Sequence, residues 1–173
     1  MDDQQILRSG QAGLVCLSAG ISAEKALQLS QLLARYRKAK EECAALVADV
    51  DAVAICGECA GQCCLNGKYR LNVLDALART AAGVPTPADF TRKPVCPYGG
   101  DAGCTMEPGL RPADCVLFIC DAIDAKLSLQ ARKSLDVLER EVRECIQIAS
   151  DLTGERMGTP LLLWGGKIIA VPK

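Results

Sequence analysis

Eight of the eleven cysteines in this 173-residue chain fall between Cys56 and Cys120, and the chain contains no histidine. The first four, Cys56, Cys59, Cys63 and Cys64, are spaced C-x2-C-x3-C-C. The last four, Cys96, Cys104, Cys115 and Cys120, are spread through a stretch rich in proline and glycine. A two-residue spacing lets two sulfurs converge on one ion at about 2.3 Å each. Eight soft donors in one segment therefore predict metal ligation. Without histidine, any soft-metal site must be all-thiolate, completed if at all by a carboxylate, a water or inorganic sulfide. The same lack excludes a Cys-His dyad, a Ser-His-Asp triad and the histidine motifs of zinc hydrolases.

Three arrangements suit eight thiolates. They are two four-cysteine zinc sites, one 4Fe-4S cluster with four ligands and four supporting thiols, or a binuclear centre with bridging sulfurs. Adjacent Cys63 and Cys64 do not readily point the same way, so they serve different centres or leave one outside the coordination shell. Structural disulfides are the competing reading, and the expected compartment argues against them. The start, Met-Asp-Asp-Gln-Gln, lacks the positive charge and apolar core of a signal peptide. No apolar run approaches the ~18 residues of a membrane span. The expectation is a cytoplasmic chain without a membrane partner, where reducing conditions favour metal over disulfide. Lys68, Arg70, Arg92, Lys93 and Arg111 lie close enough in sequence to offset thiolate charge. Arg111 sits inside the cysteine region beside Pro112 and is expected to donate to sulfurs or to a carboxylate, as a cofactor-binding residue.

Half of the residues are apolar and only 3% aromatic, which favours helix over sandwich or barrel. The net charge is -1, with both signs interspersed. No basic stripe is present, so nucleic acid is not an expected partner. The length predicts a single domain over 1–173. A long helix over 22–54 starts at Ser22 as N-cap, with a seam of Leu29, Leu32, Tyr36, Ala39, Cys43, Leu46, Val50 and Val53. Its other face carries Arg35, Arg37, Lys38, Lys40, Glu41 and Glu42. The cysteine-rich metal-binding region spans 56–120 and includes a helix over 69–82 ended by Gly83. A second long helix, 121–151, has its seam at Leu127, Ala131, Leu135, Leu138, Val142, Cys145 and Ala149, with Gly154 as stop. Two apolar runs around Gly165-Gly166 read as a hairpin over 160–171 anchored by Trp164. Residues 1–20 read as a weak helix broken by Gly10, Gly13 and Gly20, with Cys16 a small buried hydrophobe. The expected fold is mainly α: long antiparallel helices flanking a loop-rich cysteine and metal core, with a small C-terminal β-hairpin. The seams either close on each other or serve an unknown protein partner, including a second copy in a homodimer.

In order, C-x2-C-x3-C-C, then Cys96-Pro97, Cys104, Arg111-Pro112-x2-Cys115 and Cys120 resemble the YkgJ-type cysteine-cluster family, described as a zinc- or iron-chelating domain. The resemblance covers residues 56–120 and not the long helices. Pro97-Tyr98-Gly99 stands where the family often has an aromatic-leucine pair, and Val116 where it often has arginine. What the resemblance implies is a cofactor class, not an activity. The reading favoured is an all-cysteine protein carrying an iron–sulfur cluster, 4Fe-4S in type, in a redox, sensing or accessory role. The alternative is a zinc-stabilised interaction module without redox activity. A third use, copper storage drawing on Cys16, Cys43 and Cys145, fits poorly with eight thiols in loops. No partner base is visible for a nucleophilic thiolate, which argues against an enzyme in its own right. On this reading Cys56→Ser, Cys59→Ser or Cys115→Ser loses metal and soluble fold together, while Cys16→Ser behaves like the parent.

Overall fold

The computed structural model describes residues 2–58, 62–65, 67–92, 94–100 and 103–170. It is mainly helical, and among the described residues the one sheet is a two-stranded ribbon. No described helix is long and apolar enough to cross a membrane.

The two ends of the chain form one helix pair. Helix α1 (Asp3–Gly20) is continuous, started by a capping box in which Asp2 accepts from the Gln5 backbone N–H. The expectation of a helix broken by glycines fails because Gly10 and Gly13 face a partner and Gly20 is the last residue of the helix. That partner is the C-terminal segment, which is a helix, α8 (Leu161–Ala170), and not a hairpin. A Cβ on Gly165 would lie 2.6 Å from the Ile6 carbonyl oxygen and 3.0 Å from the Gly10 nitrogen. One on Gly13 would collide with the Ile168 side chain and come within 2.9 Å of the Trp164 ring. Each helical glycine costs roughly 1 kcal/mol in propensity. Here that loss is offset because the backbones approach close enough to bury Leu7, Leu14, Leu161 and Leu162 between them and the core. Trp164 does anchor the segment, as expected, with its indole N–H donating to Glu155 Oε2 at 3.0 Å. Gly165→Ala should destabilise the fold by about 1–3 kcal/mol through overpacking against backbone that cannot yield. Gly20→Ala meets nothing within 4 Å and should be neutral or mildly stabilising. Urea unfolding of the two variants checks this, and equal midpoints would contradict it.

A second pair forms the other half. Helix α2 (Ala23–Ala48) begins at Ser22, whose Oγ accepts from the Lys25 N–H at 3.4 Å. The expected helix over 22–54 ends early. Asp51 takes a left-handed conformation (φ 58°), and a new helix, α3 (Ala52–Glu58), carries the chain into the cysteines. Likewise the expected helix from Asp121 divides into a short α6 (Asp121–Asp124) and a long α7 (Leu129–Thr153). Ser128 caps α7, and Gly154 ends it at φ 75°. Helices α2 and α7 pack together antiparallel: Arg35 pairs with Glu141 and Glu144, while residues 42–49 lie beside 130–138. Leu29, Leu32, Tyr36 and Ala39 meet Val142, Cys145 and Ala149 in one core, so these parts of the two seams close on each other within the chain. The side chain of Val53 lies outside the described residues. Two assignments are corrected. Cys16 is exposed, and Lys40 belongs to the buried side of α2, one turn beyond Tyr36.

Between the pairs lies α4 (Val73–Ala81), opened by a capping box of Asn72 and Asp75 and followed by Gly83 at φ 66°. The ribbon of β1 (Gly99–Gly100) and β2 (Gly103–Cys104) falls inside the cysteine segment, and α5 (Ala113–Leu117) follows it. A smaller apolar cluster of Ala52, Ile123 and Leu127 holds α3 to α6.

Candidate metal centre

The cysteines arrive on different elements. Cys56 is exposed on α3, and Cys63 and Cys64 form a single 3-10 turn with Gln62. Cys96 is buried after a bridge that pairs Leu65 with Val95, and Cys104 ends β2 opposite Gly99. Cys115 lies midway along α5, and Cys120 is the N-cap residue of α6. Cys59, Gly61, Asn66 and Lys93 lie outside the described residues.

Local contacts bring the two cysteine segments together. The isolated Leu65–Val95 bridge sets the 62–65 turn beside the stretch that leads into Cys96. Gly67 then packs directly on Cys96, where a Cβ would stand 2.7 Å from Cys96 Sγ, so only glycine fits. Tyr98, buried beneath, donates from its hydroxyl to the Lys68 carbonyl at 3.3 Å and accepts on its own carbonyl from Thr105 Oγ1 at 3.0 Å. Lys68 in turn holds the start of α1 through Asp3 at 3.0 Å.

Electrostatics identify which thiols share a neighbourhood. Burial pushes the Cys64 thiol up to about 11, and Cys63, Cys96 and Cys104 add to the rise. Burial likewise pushes Cys115 up to about 12, with Arg70 opposing and Cys96 and Cys104 reinforcing. Cys96 is raised by burial and by Cys104, and lowered by Arg70 and Arg92. Cys64 therefore feels Cys63, Cys96 and Cys104, and Cys115 feels Cys96 and Cys104. Cys120 instead packs on the Ala52–Ile123–Leu127 cluster with Ile55, the neighbour of Cys56. Among the described residues, no three cysteine or carboxylate side chains converge closely enough to hold an ion.

Arg111 donates from Nε to the Met106 carbonyl at 2.8 Å, closing the loop between Cys104 and Cys115. Arg70 stacks over Phe118 at 5.6 Å and donates to the Asp114 carbonyl.

Beneath the cysteines lies a polar network that the sequence reading missed. Lys40, Tyr36 and Asp75 are fully buried. Asp75 Oδ1 accepts from Lys40 Nζ at 2.7 Å and from the Tyr36 hydroxyl at 2.8 Å, while Oδ2 accepts from the Ala113 N–H at 3.1 Å. Lys40 Nζ also donates to the Arg111 carbonyl at 2.6 Å. This network pins the Arg111–Ala113 backbone, and with it Cys115, to α2 and α4. Its sequence signal was Lys40 standing four residues after seam residue Tyr36, and Asp75 standing three after Asn72. Compared with known proteins, the chain matches no family model, no curated protein and no solved structure.

Proposed function

We propose that residues 56–120 form an all-cysteine metal centre carrying an iron–sulfur cluster, 4Fe-4S in type, in a redox, sensing or accessory role. The observation that carries this reading is that thiols from separate stretches of chain act on one another, Cys64 and Cys115 each feeling Cys96 and Cys104. Thiols raised chiefly by burial, and further by one another, are costly as anions, and a soft cation among them reverses that sign. The resemblance of the cysteine spacing to the YkgJ-type family supports the same cofactor class. Cys56, Cys59 and Cys120 complete the expected ligand set, with Arg111 as a supporting donor to the centre. A bound cluster would supply one-electron transfer tuned by the surrounding charge and burial.

A zinc-stabilised interaction module is the second reading, favoured by a shallow groove of about 610 Å³ on the outer edge of α2 and α7. Ala45, Leu46, Val137 and Leu138 line it among charged side chains, a surface suited to a protein partner or a second copy. Elemental analysis and an optical spectrum of anaerobically purified protein separate the readings. Iron with acid-labile sulfide supports the first. Zinc without iron overturns it in favour of the second, and colourless, metal-free protein after anaerobic reconstitution overturns both.

A further inference from the structure

With the inner faces of α2 and α7 packed on each other, the outer edge of the pair still carries apolar surface of its own. Leu46 and Leu138 form the half-buried floor of the groove along that edge, and Val137 stands 55% exposed on its α7 wall. An apolar strip on paired helices is covered best by a further helical surface. The charges along the edge point to which one. Most are already matched inside the chain: Glu42 with Lys38 at 3.6 Å, Arg35 with Glu141 and Glu144, Arg132 with Asp124, and Arg143 with Glu139. Two charged residues of the groove are not. Asp49 on the α2 wall and Lys133 on the α7 wall are exposed, and neither makes an ion pair among the described residues. The antiparallel register set by Arg35 and Glu141 brings Lys133 to within about one or two turns of Asp49 along the groove.

We propose that this groove is the interface of a symmetric homodimer, its occupant the same groove of a second copy of the chain. A two-fold axis running along the groove sets α2 of one copy over α7 of the other. Asp49 of each copy then meets Lys133 of the other, so the two unpaired charges are matched twice. The same operation covers Leu46, Val137 and Leu138 and yields a four-helix arrangement. An acidic wall facing a basic one is self-complementary in this way, whereas a partner of uniform charge would satisfy only one of the two walls. The proposal commits the groove of the second reading to one occupant, and it holds whichever metal the cysteine segment takes.

The test is sedimentation velocity on the full chain across a concentration series, with reductant present so that exposed thiols such as Cys16 do not cross-link copies. The parent is expected to sediment as a reversible dimer. Val137→Glu, which sets a charge into the apolar strip, should raise the dimer dissociation constant by about 100-fold. Asp49→Lys and Lys133→Asp each bring like charges together at two symmetry-related places and should raise it by about 10–100-fold. Combining the two reverses both signs and should recover most of the parent affinity. A parent that stays monomeric throughout the series overturns the proposal, as does a dimer indifferent to Val137→Glu. Single charge reversals that weaken the dimer without rescuing each other overturn the placement of α2 over α7. Should Val137→Glu lose helicity by circular dichroism, the charge swap alone decides. Metal content read on the same samples keeps the conclusions apart: a monomer that holds iron or zinc removes the dimer and leaves the metal centre, and a metal-free dimer does the reverse.

Discussion

Asp75→Ala is expected to destabilise the apo chain by about 3–5 kcal/mol, the usual cost of removing one partner of a buried ion pair. That is a large part of the roughly 5–15 kcal/mol that keeps a domain folded. The size follows from what the carboxylate holds. Its loss leaves the Lys40 ammonium buried without an anion and orphans the Tyr36 hydroxyl and the Ala113 N–H in the same space. It also removes the side chain that closes the α4 capping box on the Asn72 N–H. Lys40→Met should cost less, because Asp75 then keeps three donors. Urea unfolding measures both, and an Asp75→Ala midpoint equal to that of the parent would refute the network's role. Because Asp75 also holds the Ala113 backbone, metal uptake should fall along with stability.

Cys115→Ser is the second large effect, and it is expected to act on metal rather than on fold. Cys115 stands among Cys96 and Cys104 on a helix pinned by Asp75, so replacing its sulfur by a hard, weakly acidic hydroxyl should bring metal per chain down to background. The helical core should survive. Its buried contacts run through the α1–α8 and α2–α7 pairs, and Cys115 is not among the residues that make them. This revises the expectation that metal and fold are lost together. Metal analysis beside far-ultraviolet circular dichroism checks it. Parent-level metal content would count against the centre, and lost helicity would restore the view that metal organises the whole domain.

Cysteine spacing and helix caps were both legible in the sequence because each depends on near neighbours. Ser22, Gly83 and Gly154 stop or start helices through contacts within a few residues, and each stands where expected. Seam residues such as Tyr36, Cys43, Val142 and Cys145 were readable from periodicity alone. The C-terminal hairpin was misread because Gly165-Gly166 carries a turn signal locally. What turns those residues into a helix is a surface more than 150 positions earlier in the chain, on α1. Cys16 was misread for the same reason: which side of α1 is inward depends on where α8 docks.

The sequence by itself determined a mainly helical chain, the seams that pair α2 with α7, and a segment of eight cysteines in a chain without histidine. Only the tertiary structure decided that Cys64 and Cys115 each feel Cys96 and Cys104 while Cys120 packs with the neighbour of Cys56, and that Lys40, Asp75 and Arg79 are buried. The division has a physical cause. Periodicity and capping are set by interactions three or four residues apart, whereas burying a charge is tolerable only where distant segments deliver its partners.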